Sequence, residues 1–259
     1  MKRPEIKNRH GLKLVIRVDE PEHETGLAFV AHGQGGFMGQ KHIQAFAEAF
    51  LENGYRVVRF DATNSTGESD GDMRNVTITN YYEDLEDVVA WARTQEWFKQ
   101  PFGLAGHSMG GMSTALYAEN HPAEVFCVAP ISACINQELF VGTVDPDFLK
   151  AWKDRGYFER ESLSRPGLLL RPGWGFVEDL KNHDLLKGAK ALTMPVLLMA
   201  GSNDEPTPYA HQKLLFDAIP GDNKRLIKIP NVDHNFKNKS GNKVAEVKRH
   251  LDDLLKELT

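Results

Sequence analysis

The sequence predicts an α/β protein built on a mostly parallel sheet with helices on both faces. Three observations carry that prediction. Short apolar runs rich in Val, Leu and Phe alternate with longer segments whose apolar residues recur at spacings of three and four. Most of the runs are apolar without polar alternation, as strands covered on both faces are. Several of the longer segments end at Gly or Pro, where helices stop. Such β–α alternation is satisfied by parallel strands joined through right-handed helical crossovers.

The elements follow in order. Residues 13–19 (KLVIRVD) alternate like a half-buried strand. LAFVAHG (27–33), RVVRFDA (56–62), FGLAGHS (102–108), VFCVAPI (125–131), VLLMAGS (196–202) and RLIKIPN (225–231) have the length and composition of buried or partly buried strands. Helical periodicity marks 41–54, 81–95, 109–122 and 208–221, and residues 244–258 form a terminal amphipathic helix. One region breaks the rhythm. From Ile135 to Ala191 the spacing is irregular and aromatics gather, with GYFERESLSRPGLLLRPGWG suggesting a hairpin between short helices. The expected organisation is a core of 1–134 and 192–259, interrupted by an insertion, 135–191, that is too short for a core of its own and covers the sheet edge as a lid.

Composition limits the function. At 259 residues and 41% hydrophobic, the chain suits one globular domain with a full core. The net charge is −5 and Lys and Arg are dispersed, so a nucleic-acid partner is not expected. The apolar runs are too short to span a bilayer, and the basic N-terminus MKRPEIKNRHG is followed by no apolar signal segment. Two cysteines seven residues apart, Cys127 and Cys134, do not make a disulfide framework, which places the protein in a reducing cytoplasm. Cys127, in an apolar run, reads as a buried structural thiol.

The chemistry concentrates at three strand ends. Gly106, Ser108 and Gly110 form G-x-S-x-G where a buried strand turns directly into a helix. A turn that tight lifts its apical side chain above the sheet, and the helix N-terminus beside it favours an anion. A serine hydroxyl needs a base, and the base needs a carboxylate to hold its tautomer. Asp204 and His234 follow the next two strands, and in a parallel sheet both loops emerge at the edge where Ser108 sits. Glu205 is the competing acid, one step further from the strand end, and Asp233 suits a turn cap. His32 and His107, also at strand ends, are read as loop-ordering residues. The plain alternative for Ser108 is a helix N-cap among packing glycines.

A second reading uses the glycine loop. GQGGFMG (33–39) lies between a strand and a helix, and Asp61 ends the following strand, where a ribose-binding acid of an NAD(P)-binding oxidoreductase would stand. The spacing departs from G-x-G-x-x-G, and this reading leaves Ser108, Asp204 and His234 without a role.

With HGQGG, GHSMGG, GSNDEPTP and VDHNF in place, the chain resembles the α/β-hydrolase superfamily over nearly its whole length. It is most similar to single-domain serine esterases of the feruloyl or cinnamoyl esterase type, near the serine aminopeptidase-like hydrolases. The resemblance implies an eight-stranded, mostly parallel sheet with a small lid after the sixth strand. It implies catalysis by Ser108, His234 and Asp204, an oxyanion hole made by the backbone N–H groups of Gln34 and Met109, and no metal or organic cofactor. Asn64 and Thr66 stand where many relatives carry glycines, which alters one wall of the site. The expected activity is that of a serine carboxylesterase acting on small-molecule esters with aromatic or medium apolar acyl groups. Trp152, Tyr157, Phe158 and Trp174 of the lid are the candidate acyl-binding residues. A thioesterase, an amidase or aminopeptidase, and a non-catalytic binding protein on the same scaffold are the alternatives, and a homodimer is the oligomeric one.

Overall fold

The central apolar runs pair into one sheet because they are hydrophobic on both faces and must be covered twice. The computed structural model describes residues 3–162 and 164–258. Its main sheet contains β1 (Glu5–Lys7), β2 (Lys13–Asp19), β3 (Gly26–Ala31), β4 (Tyr55–Asp61), β5 (Phe102–His107) and β6 (Val125–Ile131). A separate hairpin, β7 (Arg160–Glu161) with β8 (Leu169–Leu170), precedes the last two sheet strands, β9 (Val196–Gly201) and β10 (Lys224–Ile229). The strand order is β1-β2-β4-β3-β5-β6-β9-β10, antiparallel across β1, β2 and β4 and parallel from there on. The expected eight-stranded, mostly parallel sheet is therefore present. Three-residue β1 is too short to declare itself by periodicity.

Alternate residues feed two cores. Leu27, Phe29 and Leu104 face the first, beneath α2 (Ile78–Ala92) and α3 (Met109–Asn120). Ala28, Val30 and Ala105 face the second, which is closed by α1 (Lys41–Glu52) and α9 (Val244–Leu258). Along α9, Val247, Leu251, Leu254 and Leu255 are buried at helical spacing, while the intervening charged residues stay outside. α8 (Tyr209–Ala218) packs beside β9 and β10.

Between β6 and β9 the chain makes α4 (Gln137–Gly142), α5 (Pro146–Arg155), the β7–β8 hairpin, α6 (Gly175–Leu180) and α7 (Leu185–Gly188). Local signals set these boundaries. Asn136 caps α4 through Leu139 N–H, Asp145 caps α5 through Asp147 and Phe148 N–H, and Pro146 opens α5. Gly156, at φ +83°, ends it in the left-handed region. Trp152 pins the segment together, donating from Nε1 to Pro172 O (3.1 Å) and packing on Phe158, Trp174 and Phe176. No helix among the described residues is long and apolar enough to cross a membrane.

Candidate active site

Ser108 occupies the turn between β5 and α3 with φ +56° and ψ −117°. A non-glycine residue in such a conformation costs about 1–3 kcal/mol and needs its surroundings to enforce it. They do. Ser108 N–H donates to Ile131 O (3.0 Å), and Ser108 O accepts from Met112 N–H (3.0 Å). The flanking glycines are sterically required: a Cβ on Gly106 would stand 2.2 Å from Gly110 O, and one on Gly110 would stand 2.4 Å from His32 O. The serine thus opens onto a cavity of about 400 Å³ that His234 also lines.

His234 is held from the side away from that cavity. Its Nδ1 lies 3.0 Å from both carboxylate oxygens of Asp204, and Asp204 is buried. This leaves Nε2 as the basic nitrogen. Thr207, absent from the sequence reading, completes the cluster. Its N–H donates to Asp204 Oδ1 (3.0 Å), and its hydroxyl lies 2.9 Å from Ser132 O and 3.1 Å from His234 Nδ1. The signal was the Thr three residues after Asp204 in DEPTP, an offset at which a side chain and backbone N–H both return to the carboxylate. Glu205 lines the cavity instead of meeting His234, and Asp233 caps the turn through Asn235 and Lys237 N–H (both 2.9 Å).

Two further imidazoles back the histidine. The His107 ring lies 4.5 Å from that of His234 and 4.4 Å from that of His42. His107 Nε2 donates to His234 O (2.8 Å), which anchors the loop that carries His234. Burial holds His107 well below the ordinary histidine range and pushes His42 down to about 3. Both rings therefore stay neutral and add no positive charge against an imidazolium forming on His234.

The glycine loop supplies the other half of the site. Gly33 O accepts from His32 Nδ1–H (2.9 Å), Gly36 N–H (3.0 Å) and Tyr81 OH (3.3 Å). His32 Nε2 in turn accepts from Ala62 N–H (3.0 Å), which fixes the tautomer. In a planar trans peptide the Gln34 N–H must point opposite to the Gly33 carbonyl held in this way. Gln34 and Met109 both line the cavity beside Ser108, and neither backbone N–H is used by another group among the described residues. Asp61 braces the loop from behind, accepting from Met38 N–H (2.7 Å) and Glu68 N–H (2.8 Å). Its carboxylate is buried and occupied by backbone, so it cannot serve a ribose, and the dinucleotide reading loses its acid. Asn64 adopts φ +59° at the place where a glycine was looked for, and Thr66 Oγ1 donates to Gly36 O (2.9 Å), so both departures support the loop.

The insertion forms much of the cavity wall. Trp152 and Phe158 line it, with Phe140, Phe148, Leu170 and Phe176 beside them. Tyr157 and Trp174 do not. Tyr157 is covered by the guanidinium groups of Arg74 (4.7 Å) and Arg155 (4.3 Å), and Trp174 packs edge-on against Trp152 with Lys153 over its ring. Both half-buried rings are engaged by cations away from the cavity lining.

Comparison with known proteins agrees with this fold. A protein of Escherichia coli, described only as an uncharacterized 31.7 kDa protein, is 25% identical over 87% of this chain and 89% of its own length. The solved structure of Est1E from Butyrivibrio proteoclasticus with ferulic acid bound superposes with a TM-score of 0.78 at 21% identity, covering 98% of each chain. Mouse α/β hydrolase domain-containing protein 10 superposes with a TM-score of 0.79 at 21% identity over 100% of both chains. The model of the family described as X-Pro dipeptidyl-peptidase (S15 family) matches residues 19–168, from the end of β2 through the glycine loop and the serine turn to the hairpin of the insertion. The protein is therefore a hydrolase of the α/β-hydrolase superfamily and belongs to that S15 family.

Proposed function

We propose that the protein hydrolyses carboxylic esters through an acyl-enzyme on Ser108, with aromatic or medium apolar acyl groups as its preferred substrates. The observation that carries this reading is that His234, held by the buried Asp204 at 3.0 Å, lines the same cavity as the half-buried, strained Ser108. In this reading His234 Nε2 takes the proton of Ser108 Oγ as the oxygen attacks the ester carbonyl. The negative charge that develops on the carbonyl oxygen is met by Gln34 and Met109 N–H, each donor worth roughly 2.7–4 kcal/mol in the transition state. His234 then gives the proton to the departing alcohol. Water, deprotonated by the same nitrogen, attacks the acyl carbon and frees Ser108. Asp204 and Thr207 keep Nδ1 engaged throughout, and no metal or organic cofactor enters.

The aromatic walls at Phe140, Phe148, Trp152, Phe158 and Phe176 support an acyl group of large flat or chain-like apolar surface. The ferulic acid bound to Est1E is compatible with the former. A curated mouse relative, 23% identical over 83% of this chain, is named a palmitoyl-protein thioesterase, which supports thioesters as the second reading. A triad does not choose its leaving group, so the substrate panel decides. It should contain p-nitrophenyl esters, hydroxycinnamate esters, acyl thioesters, and aminoacyl anilides including X-Pro anilides. The expected result is the highest kcat/KM on an aromatic or medium-chain oxygen ester, lost by roughly a millionfold in kcat in a folded Ser108→Ala protein. A preference for the anilides, or near-normal ester hydrolysis by Ser108→Ala, would overturn the proposal.

A further inference from the structure

The cavity wall holds one cation for which the reaction described so far has no use. Arg160, in β7, lines the cavity among aromatic and aliphatic side chains. The neighbouring arginines of the insertion are all engaged. Arg155 and Arg171 pair with Glu159, and Arg165 donates to Thr66 O while stacking on Phe37. Among them only the Arg160 side chain has neither a hydrogen bond nor an ion pair to any described residue. Arg160 is exposed as a residue, yet the protein packed around its guanidinium lowers its pKa without any carboxylate acting to raise it. The other charged side chains on the wall do not answer it. Asp145 is committed to the α5 cap, Glu205 sits on the loop of Asp204, and neither is within 4.0 Å of Arg160.

Two facts tie this guanidinium to substrate. The hairpin rests directly on the oxyanion loop: a Cβ on Gly35 would stand 2.7 Å from Leu170 Cδ1 and 3.7 Å from Arg160 Nη2. On the same loop, the side-chain amide nitrogen of Gln34 is buried without a partner, and Gln34 also lines the cavity. A planar five-donor cation and an unanswered amide donor on one apolar cavity call for acceptor oxygens from the ligand. One fork with no second cation beside it suits a singly charged planar carboxylate; a phosphate dianion leaves more oxygens to satisfy.

We propose that Arg160 makes the protein selective for substrates that carry a free carboxylate away from the scissile bond, with the Gln34 side-chain amide as auxiliary donor. This rests on the serine-hydrolase reading for the reaction, but the anion site itself does not depend on turnover.

The test compares matched pairs. The p-nitrophenyl half-esters of glutarate, adipate and suberate are assayed against their methyl-capped twins, to place the carboxylate on the acyl side. Butyrate esters of 4-(hydroxymethyl)benzoate and of its methyl ester place it on the alcohol side, and an ω-phosphono acyl ester replaces it by phosphonate. In the wild-type protein at least one carboxylate substrate is expected to exceed its capped twin in kcat/KM by about tenfold, mainly through KM, as one charge-assisted pair would give. Arg160→Gln should bring that ratio to about one, and Arg160→Lys should restore part of it. Equal rates within every pair, a ratio that survives in Arg160→Gln, or a phosphonate preferred to every carboxylate would overturn the proposal. Calorimetric binding of the same compounds to Ser108→Ala separates this claim from the esterase reading. If wild type hydrolyses none of them but Ser108→Ala still binds carboxylate over capped twin, and loses that on adding Arg160→Gln, the reaction is misassigned and the anion site stands. Equal binding of both twins removes the anion site whatever the reaction.

Discussion

The rim of the sheet and the insertion above it meet at one cavity but are built on opposite principles. On the rim, the acceptors that brace the site are each engaged more than once. Asp204 receives Thr207 N–H and His234, Gly33 O receives three donors, and Asp61 receives two backbone N–H groups. In the insertion five rings, Phe140, Phe148, Trp152, Phe158 and Phe176, line the cavity, and beside them stands the Arg160 guanidinium, which has no partner among the described residues. The contrast teaches where each kind of work is done. Groups that meet transition-state charge must be oriented before the substrate arrives, since reorienting them during the reaction costs rate. A wall that recognises an acyl group gains contact area from rings that need few fixed partners.

The comparison breaks most severely at Thr207. Replacing it by Val keeps the shape but removes the hydroxyl that lies between Asp204, His234 and Ser132. Steady-state kinetics should give a kcat lower by about 10- to 100-fold at nearly constant KM, the range expected for a hydrogen bond to a charged group. A KM effect with kcat intact would mean that Thr207 shapes the pocket and does not orient the base.

A smaller effect sharpens the other half. Phe148 is 41% exposed and lines the cavity, so truncating it disturbs little core. Phe148→Ala should raise KM for hydroxycinnamate esters by roughly 2- to 10-fold, as the loss of an aromatic contact implies, and leave acetate esters unchanged. Equal changes on both substrates would deny the insertion its part in choosing the acyl group.

The smallest effect on rate, visible instead in stability, comes where rim and insertion join. Glu119 of α3 faces Gly188 at the end of α7, and one of its oxygens is buried without a partner. Burial, and then the nearby Asp184 charge, raise its pKa to about 8. The folded protein then keeps a proton that the unfolded chain gives up near 4.5, so stability present at low pH is lost as pH rises from there through about 8. Glu119→Gln should remove that loss. Its melting temperature should exceed that of wild type by a margin that widens from pH 5 to pH 9, at roughly 2–4 °C for each kcal/mol recovered. A margin that is constant with pH would show that Glu119 is ionised in the folded protein throughout.

The same two regions differ in how far the sequence disclosed them. Ser108, Asp204 and His234 follow the ends of parallel strands, and a parallel sheet carries such positions to one edge, so their arrival there follows from local pattern plus topology. The hairpin between short helices was visible in the glycines and prolines that bound it. What escaped depends on contacts between distant residues. The bond from His107 to His234 O spans 127 positions, and nothing local in GHSMGG announces it. Which rings of the insertion face the cavity was equally hidden: Tyr157 packs under Arg74, 83 positions away, while Phe140, Phe148 and Phe176 line the wall.

The measurement that bears most directly on the central claim is covalent labelling with a fluorophosphonate, followed by intact-mass and peptide analysis alongside residual esterase activity. One adduct per chain, on the peptide containing Ser108, with activity lost in proportion to labelling and with both absent from His234→Ala, is the predicted result. An unmodified Ser108 in protein that has lost its activity, or full activity in protein labelled at Ser108, would contradict it.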